Sequence, residues 1–232
     1  MAGKEYNKAI EYVMDHIKDG SLGIGSKLPA ERTLAEALGI GRNSTREALR
    51  TLENMGVIFS KQGSGNFVTG DMASVLPGML EMMMVLSRFD KEELHSFRHN
   101  MEKTVCSMIL QSGDGAKEIA RRALQILHED AVSAEDEIDV DMRFHFALVE
   151  GTGNRLMISL MQSVSEIYTD MISQVFSSAD DEKKSRLFKA HEEIAKALEA
   201  GDEAKCFKAI DEHYNMIEEM DSSEPIFCTI EV

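Results

Sequence analysis

Between Leu28 and Gly56 two amphipathic segments, LPAERTLAEALG and GRNSTREALRTLENMG, meet across a corner of three residues, Gly39-Ile40-Gly41. So short a connection forces two helices to pack against each other at a steep angle. In the first, Pro29 stands near the start, Leu34 and Leu38 share a face, and Gly39 ends the run. In the second, Thr45, Ala48, Leu49, Leu52 and Met55 make an inward stripe, while Arg42, Asn43, Arg46 and Arg50 occupy the opposite face. An earlier helix is expected through Tyr6, Ile10, Val13 and Ile17, with Asp19-Gly20 as its stop. After the pair, residues 57–60 read as a strand, 61–65 as a tight turn and 66–69 as the returning strand.

The net charge of -16 argues against a polyanionic partner only if the charge is evenly spread. It is not. Residues 1–70 hold 9 Lys+Arg and 8 Asp+Glu, a net of +1, and the rest of the chain holds 16 and 33, a net of -17. The 232 residues accommodate two cores, so the expected domains are 1–70 and 71–232. Arginine pairs bidentately with guanine or phosphate and asparagine with adenine, and glycines such as Gly63 and Gly65 let a turn's backbone amides approach a phosphate closely. An arginine-bearing helix is by itself more often a solvated face, and a Gly-rich hairpin more often a plain turn. The ordered succession of helix, helix, corner, cationic helix and hairpin carries the reading: a winged helix-turn-helix that binds double-stranded DNA.

From Met72 to Asp221 no strand run appears, and segments of helical period are interrupted near Phe89-Asp90, residues 112–115, Ser133, residues 151–154, 178–180 and Gly201-Asp202. Six or seven helices in an antiparallel bundle are expected, giving a mainly α protein. Ser133 and Asp136 have capping-box spacing. Met79, Met82, Met83 and Met84 have the spacing of a core or dimer face rather than of a ligand box. Three scattered cysteines, Cys106, Cys206 and Cys228, suit a reducing cytoplasm and read as small buried hydrophobes. No charged-then-apolar leader opens the sequence, and the stretch from Met72 to Leu86 is too short and too interrupted to span a bilayer, so a cytoplasmic protein with no membrane role is expected.

Asp141 and His145, four residues apart in DMRFH, lie on the same side of one helix. His191 and His213 lie on later helices that a bundle can bring to the same centre. One carboxylate oxygen and three imidazole nitrogens suit a borderline divalent ion, zinc first, with nickel and manganese as alternatives. His16, His95, His99 and His128 have no such pattern and read as ordinary side chains.

The N-terminal segment, LPAERTLAEALGIGRNSTREALRTLENMGVI with the hairpin QGSGNFV, resembles the GntR family of bacterial regulators over residues 5 to 70. The resemblance implies that Arg32 contacts the DNA backbone, that Arg42, Ser44 and Arg46 reach bases or phosphates, and that Gly63 and Gly65 serve the wing. Gly41 departs from the Ser or Thr usual in the family, which removes a side-chain helix cap. DMRFHFALVEGTGN and HEEIAKALEAGDEAKCFKAIDEHY resemble the FCD effector domain of the FadR subfamily, many of whose members bind a metal through one Asp and three His. Asp141, His145, His191 and His213 fall on those positions, as in lactate-responsive LldR-type regulators, and Arg98 matches an arginine frequent in the family's pocket, which implies a carboxylate clamp or else a salt bridge with a nearby Glu.

The function expected is a homodimeric repressor that binds a palindromic operator and responds to a small organic acid at a metal-containing pocket. A two-fold pair of heads adds contacts that one head lacks. The rivals are an acyl-CoA sensor without metal and a metal-dependent hydrolase, the latter weakened by the lack of a separate nucleophile motif.

Overall fold

The computed structural model describes residues 2–70, 75–86, 88–129 and 133–220, whose regular structure is helical apart from one two-stranded ribbon. The chain divides into two compact units, Met1–Leu76 and Pro77–Val232, each with its own core.

In the first unit, α1 (Ala2–Lys18), α2 (Glu31–Leu38) and α3 (Arg42–Asn54) enclose Val13, Leu28, Leu34, Leu49 and Leu52. The ribbon of β1 (Ile58–Lys61) and β2 (Gly65–Val68) closes this core with Ile58 and Val68, which face each other in the antiparallel register. Gly39 ends α2 in the left-handed region at φ 61°, where a side chain is strained, and the reversal lets the Ile40 N–H donate to Ala35 O at 3.1 Å. Ile40 is thereby turned inward against Ala9 and Ala48. Met55 does not join the inward stripe. The helix stops at Asn54 and the chain reverses through Gly56 at φ 65°, which leaves Met55 49% exposed.

The described part of the second unit has seven helices: α4 (Leu76–Val85), α5 (Lys91–Gln111), α6 (Gly115–Leu127), α7 (Ala134–Gly151), α8 (Arg155–Ser178), α9 (Asp181–Ala200) and α10 (Glu203–Met220). Their starts are set by local chemistry. Asp90 with Glu93 and Ser133 with Asp136 form reciprocal capping boxes, while Asn154 and Asp180 accept from the first-turn amides of α8 and α9. Corners of two or three residues between α7, α8, α9 and α10 fold consecutive helices back on one another. Gly151 lets α7 approach α6, because a Cβ there would stand 2.6 Å from Ile119 Cγ2.

Met79, Met82 and Met83 are exposed on α4, and only Met84 packs against the bundle, beside the cluster built on Tyr168, Ile172 and Ile217. The core alternative for this methionine group therefore fails for three of its four members. Cys106 and Cys206 are buried, as expected, and Cys228 lies outside the described residues. Among the described residues no helix is long and apolar enough to cross a membrane.

Gly39→Ala meets no atom within 4 Å, so its cost is that of the backbone alone. It should lower stability by about 1–2 kcal/mol in chemical denaturation; an unchanged midpoint would contradict the strained corner.

Candidate functional site

Four helices of the bundle send polar side chains to one buried centre. Arg98 and Glu102 come from α5, Asp141 and His145 from α7, His191 from α9 and His213 from α10, and all six are among the most buried polar groups. His145 Nε2 lies 3.1 Å from His191 Nε2, and Asp141 Oδ1 lies 3.2 Å from His191 Nε2 and 3.9 Å from His145 Nε2. One ligand nitrogen from each of His145, His191 and His213 falls within 4.8 Å of the others. The His213 ring is centred 4.4 Å from that of His191 and 5.0 Å from that of His145. All four residues expected from the sequence are thus gathered, with the three imidazoles as the tightest set and Asp141 against two of them.

The carboxylate expected here was accompanied by one that sequence reasoning did not name. Glu102 Oε1 sits 2.9 Å from His145 Nδ1 and accepts from Arg98 Nε at 3.2 Å. The i to i+4 spacing of Arg98 and Glu102 was the available signal, but spacing alone does not distinguish a surface pair from a buried one. Arg98 is 1% exposed, lies 4.4 Å over the Tyr168 ring, and leaves Nη1 without a hydrogen-bond partner.

Burial by itself favours the neutral form of every group here. For Asp141 that effect is outweighed by His191, His145 and Arg98, which bring its pKa down to about 2. Glu102 is likewise held well below the usual carboxylate range, against burial, by His145 and Arg98. For His191 burial wins over the contact with Asp141, and for His213 burial and the neighbouring imidazoles act together, so both are pushed below the ordinary histidine value. The centre therefore offers ionised carboxylates at Asp141 and Glu102 and imidazoles at His191 and His213 biased to the neutral form, the protonation states a divalent ion requires.

The residues present fit such an ion. Neither oxygen of Asp141 receives a well-directed hydrogen bond, nor do His213 Nδ1 and His145 Nδ1, the latter despite its short approach to Glu102. A buried carboxylate without donors is costly unless a cation satisfies it. Nitrogen and oxygen ligands about 2.1 Å from an ion stand about 3.0 Å apart on an octahedral edge and about 3.4 Å apart on a tetrahedral one. The separations of 3.1 and 3.2 Å lie between these, while the 3.9 Å from Asp141 Oδ1 to His145 Nε2 is wider than either edge. The remaining histidines play other parts: His95 Nδ1 lies 2.7 Å from Tyr168 Oη, His99 pairs with Asp211 at 2.6 Å, His16 Nδ1 lies 2.7 Å from Tyr12 O, and His128 is an exposed neighbour of Glu192.

On the first unit, Arg42, Asn43, Arg46 and Arg50 of α3 all face solvent, and Ser44 is half-buried. Two glutamates meet this face. Glu31 accepts a fork from Arg46 at 2.8 and 3.0 Å, and Glu5 of α1 accepts from Ser44 Oγ at 3.2 Å and from the Gly41 N–H at 3.3 Å. Gly41 provides no side-chain cap, and its own N–H is met by a carboxylate from 36 residues earlier. Arg32 lies 3.6 Å from Glu36 on an exposed turn of α2. Gly63 and Gly65, at φ 73° and 105°, shape the exposed ribbon tip.

Comparison with known proteins matches residues 5–68 to the bacterial regulatory proteins of the gntR family and residues 93–216 to the FCD domain. The chain is a GntR-family transcriptional regulator with an FCD domain. This regulator is 28% identical over 209 residues to the HTH-type transcriptional regulator LutR of Bacillus subtilis, covering 88% of the chain and 95% of that relative. It is also 28% identical over 211 residues to a putative L-lactate dehydrogenase operon regulatory protein of Escherichia coli, covering 87% of the chain and 80% of the relative. A solved GntR structure from Streptococcus agalactiae superposes with a TM-score of 0.68 at 25% identity, over 92% of this chain and 99% of that one. These families and relatives are transcriptional regulators rather than enzymes, which removes the hydrolase alternative.

Glu102→Ala leaves the Arg98 charge buried and unpaired. Its stability, measured by denaturation in the presence of chelator, should fall by about 3–5 kcal/mol; a loss below about 1 kcal/mol would mean that the pair is not buried as described.

Proposed function

We propose that this regulator is a homodimeric repressor whose α3 enters the major groove of a palindromic operator, and whose bundle holds a divalent metal that recruits a small organic acid. The observation that carries the sensory half is the buried convergence of His145, His191 and His213 beside an Asp141 carboxylate that receives no well-directed hydrogen bond. Asp141, His145, His191 and His213 would hold the ion, zinc in the first instance, with nickel or manganese as alternatives. Once bound, it supplies a Lewis-acidic seat for a carboxylate or hydroxyl oxygen. The free N–H groups on Arg98 Nη1 are suited to pair with the acid's charge.

Charge balance favours an anionic effector. Arg98, Glu102 and Asp141 sum to -1, a divalent ion takes the centre to +1, and a monocarboxylate returns it to zero, which matters in a site of low dielectric. A metal-free acyl-CoA sensor has no use for such a cluster. The regulatory proteins named for L-lactate dehydrogenase and Glc operons among the relatives accord with a small-acid signal. Binding would alter the spacing of the two heads by no more than the effector's differential affinity for the two arrangements.

On the head, Arg42, Asn43 and Arg46 are assigned to bases or phosphates, and Ser44, Arg32 and the wing amides at Gly63 and Gly65 to the DNA backbone. Arg46 exchanges Glu31 for DNA at small cost, since an exposed ion pair contributes little in water. The protein acts in the cytoplasm, where the operator is.

Arg46→Ala should weaken binding to an operator selected from a random duplex library by roughly ten- to a hundredfold, with the fold unchanged by circular dichroism. Unaltered gel retardation would remove α3 from the interface. His213→Ala should reduce metal content, measured by elemental analysis after purification without chelator, from about one ion per chain to less than about a tenth, while operator binding without effector persists. Wild-type protein that holds no metal even after zinc addition would end the metal reading.

A further inference from the structure

Beside the metal-binding cluster lies a cavity of about 190 Å³ between α7 and α9, and its wall includes Asp141 and His191. The rest of the wall is mainly hydrocarbon, from Leu127, Val140, Phe176, Leu187 and Phe188. Its edge carries Lys184, bonded to Glu137 at 2.6 Å, a pair that ties α9 to α7. The wall is therefore mainly apolar, with Asp141 and His191 from the cluster, the Lys184–Glu137 ion pair, and Glu129, whose carboxylate is held by Arg143 at 2.7 Å. A dicarboxylate gains nothing from such a rim, because Lys184 is already matched by Glu137. An acid with one charged end and one oily end matches the whole profile.

Resting on the effector reading above, we propose that this cavity seats the hydrocarbon substituent of the effector, and that the effector is a 2-hydroxy or 2-oxo monocarboxylic acid with a branched alkyl or phenyl group of about four to six carbons. The size follows from a known scale: a dry cavity of about 150 Å³ lined by Leu, Ile and Phe accepts benzene. A one-carbon substituent leaves most of the volume unfilled and most of the apolar wall unused. The acid's oxygens take the side of Asp141 and His191, where a bound ion would stand, and the substituent lies against the apolar wall. Discrimination then comes from apolar area, with each buried methylene contributing about fourfold in affinity.

Calorimetric titration of the full-length, zinc-loaded protein with glycolate, lactate, 2-hydroxybutyrate, 2-hydroxyisocaproate and mandelate tests this. Affinity should rise along the alkyl series by at least tenfold overall, with mandelate near its top. Val140→Phe, which fills the cavity, should abolish that rise, so that the longer acids bind no more tightly than glycolate. Phe188→Ala, which widens it, should move the optimum towards the bulkier acids. Glycolate or lactate binding as tightly as the longer acids, or a Val140→Phe variant that keeps the rise, would overturn the seat for the substituent and leave the metal-and-acid reading standing. Failure of every acid to bind protein that has taken up zinc would overturn both.

Discussion

Glu102 is an ionised carboxylate in the middle of a helical bundle, and the surrounding architecture keeps it charged. Arg98 stands one turn before it on the same helix, and His145 meets it from α7. Removing charges from water costs several kcal/mol each, so such a group persists only where partners are fixed in place. That requirement ties α5, which packs against α6, α7, α8, α9 and α10, to a single rotational setting about its axis. With α5 and α7 held through Glu102 and His145, the imidazoles of α9 and α10 have a defined place to meet. The meeting of the three imidazoles thus shares its framework with a buried ion pair.

The two units use carboxylates in opposite ways. In the bundle Glu102 and Asp141 are buried, held ionised by close cations and imidazoles, and cannot exchange partners without great cost. On the head, Glu31 and Glu5 are solvent-accessible partners of Arg46, Ser44 and the Gly41 amide. Pairs of that kind contribute little in water and are readily traded for a phosphate. The same chemical group therefore rigidifies one unit and leaves the other ready to bind a polyanion. This division also resolves the tension between a strongly acidic chain and a DNA-reading head, since the acidic excess falls outside the first 70 residues.

Much of the fold was legible because it depends on interactions within a turn or two. Gly39 and Gly201 end helices by adopting a conformation other residues resist, and Ser133 starts one through a partner three residues away. The Asp141–His145 pairing is equally local, as is the outward line of Arg42, Arg46 and Arg50. What differed was also physical: Met55 continues the stripe in sequence but lies past the last helical turn, and of the core or dimer face expected for the α4 methionines, the core is not met by Met79, Met82 and Met83.

The sequence by itself determined where helices start and stop, which faces are apolar, and which side chains share a helix, because those properties are set by neighbours along the chain. Only the tertiary structure decided that His145, His191 and His213 converge, that Arg98 is spent on Glu102 with one nitrogen to spare, and that Glu5 meets the Gly41 N–H 36 residues away. Those facts depend on the rotation and depth at which helices pack. Packing is fixed by the summed burial of many side chains, so no single stretch of sequence contains it.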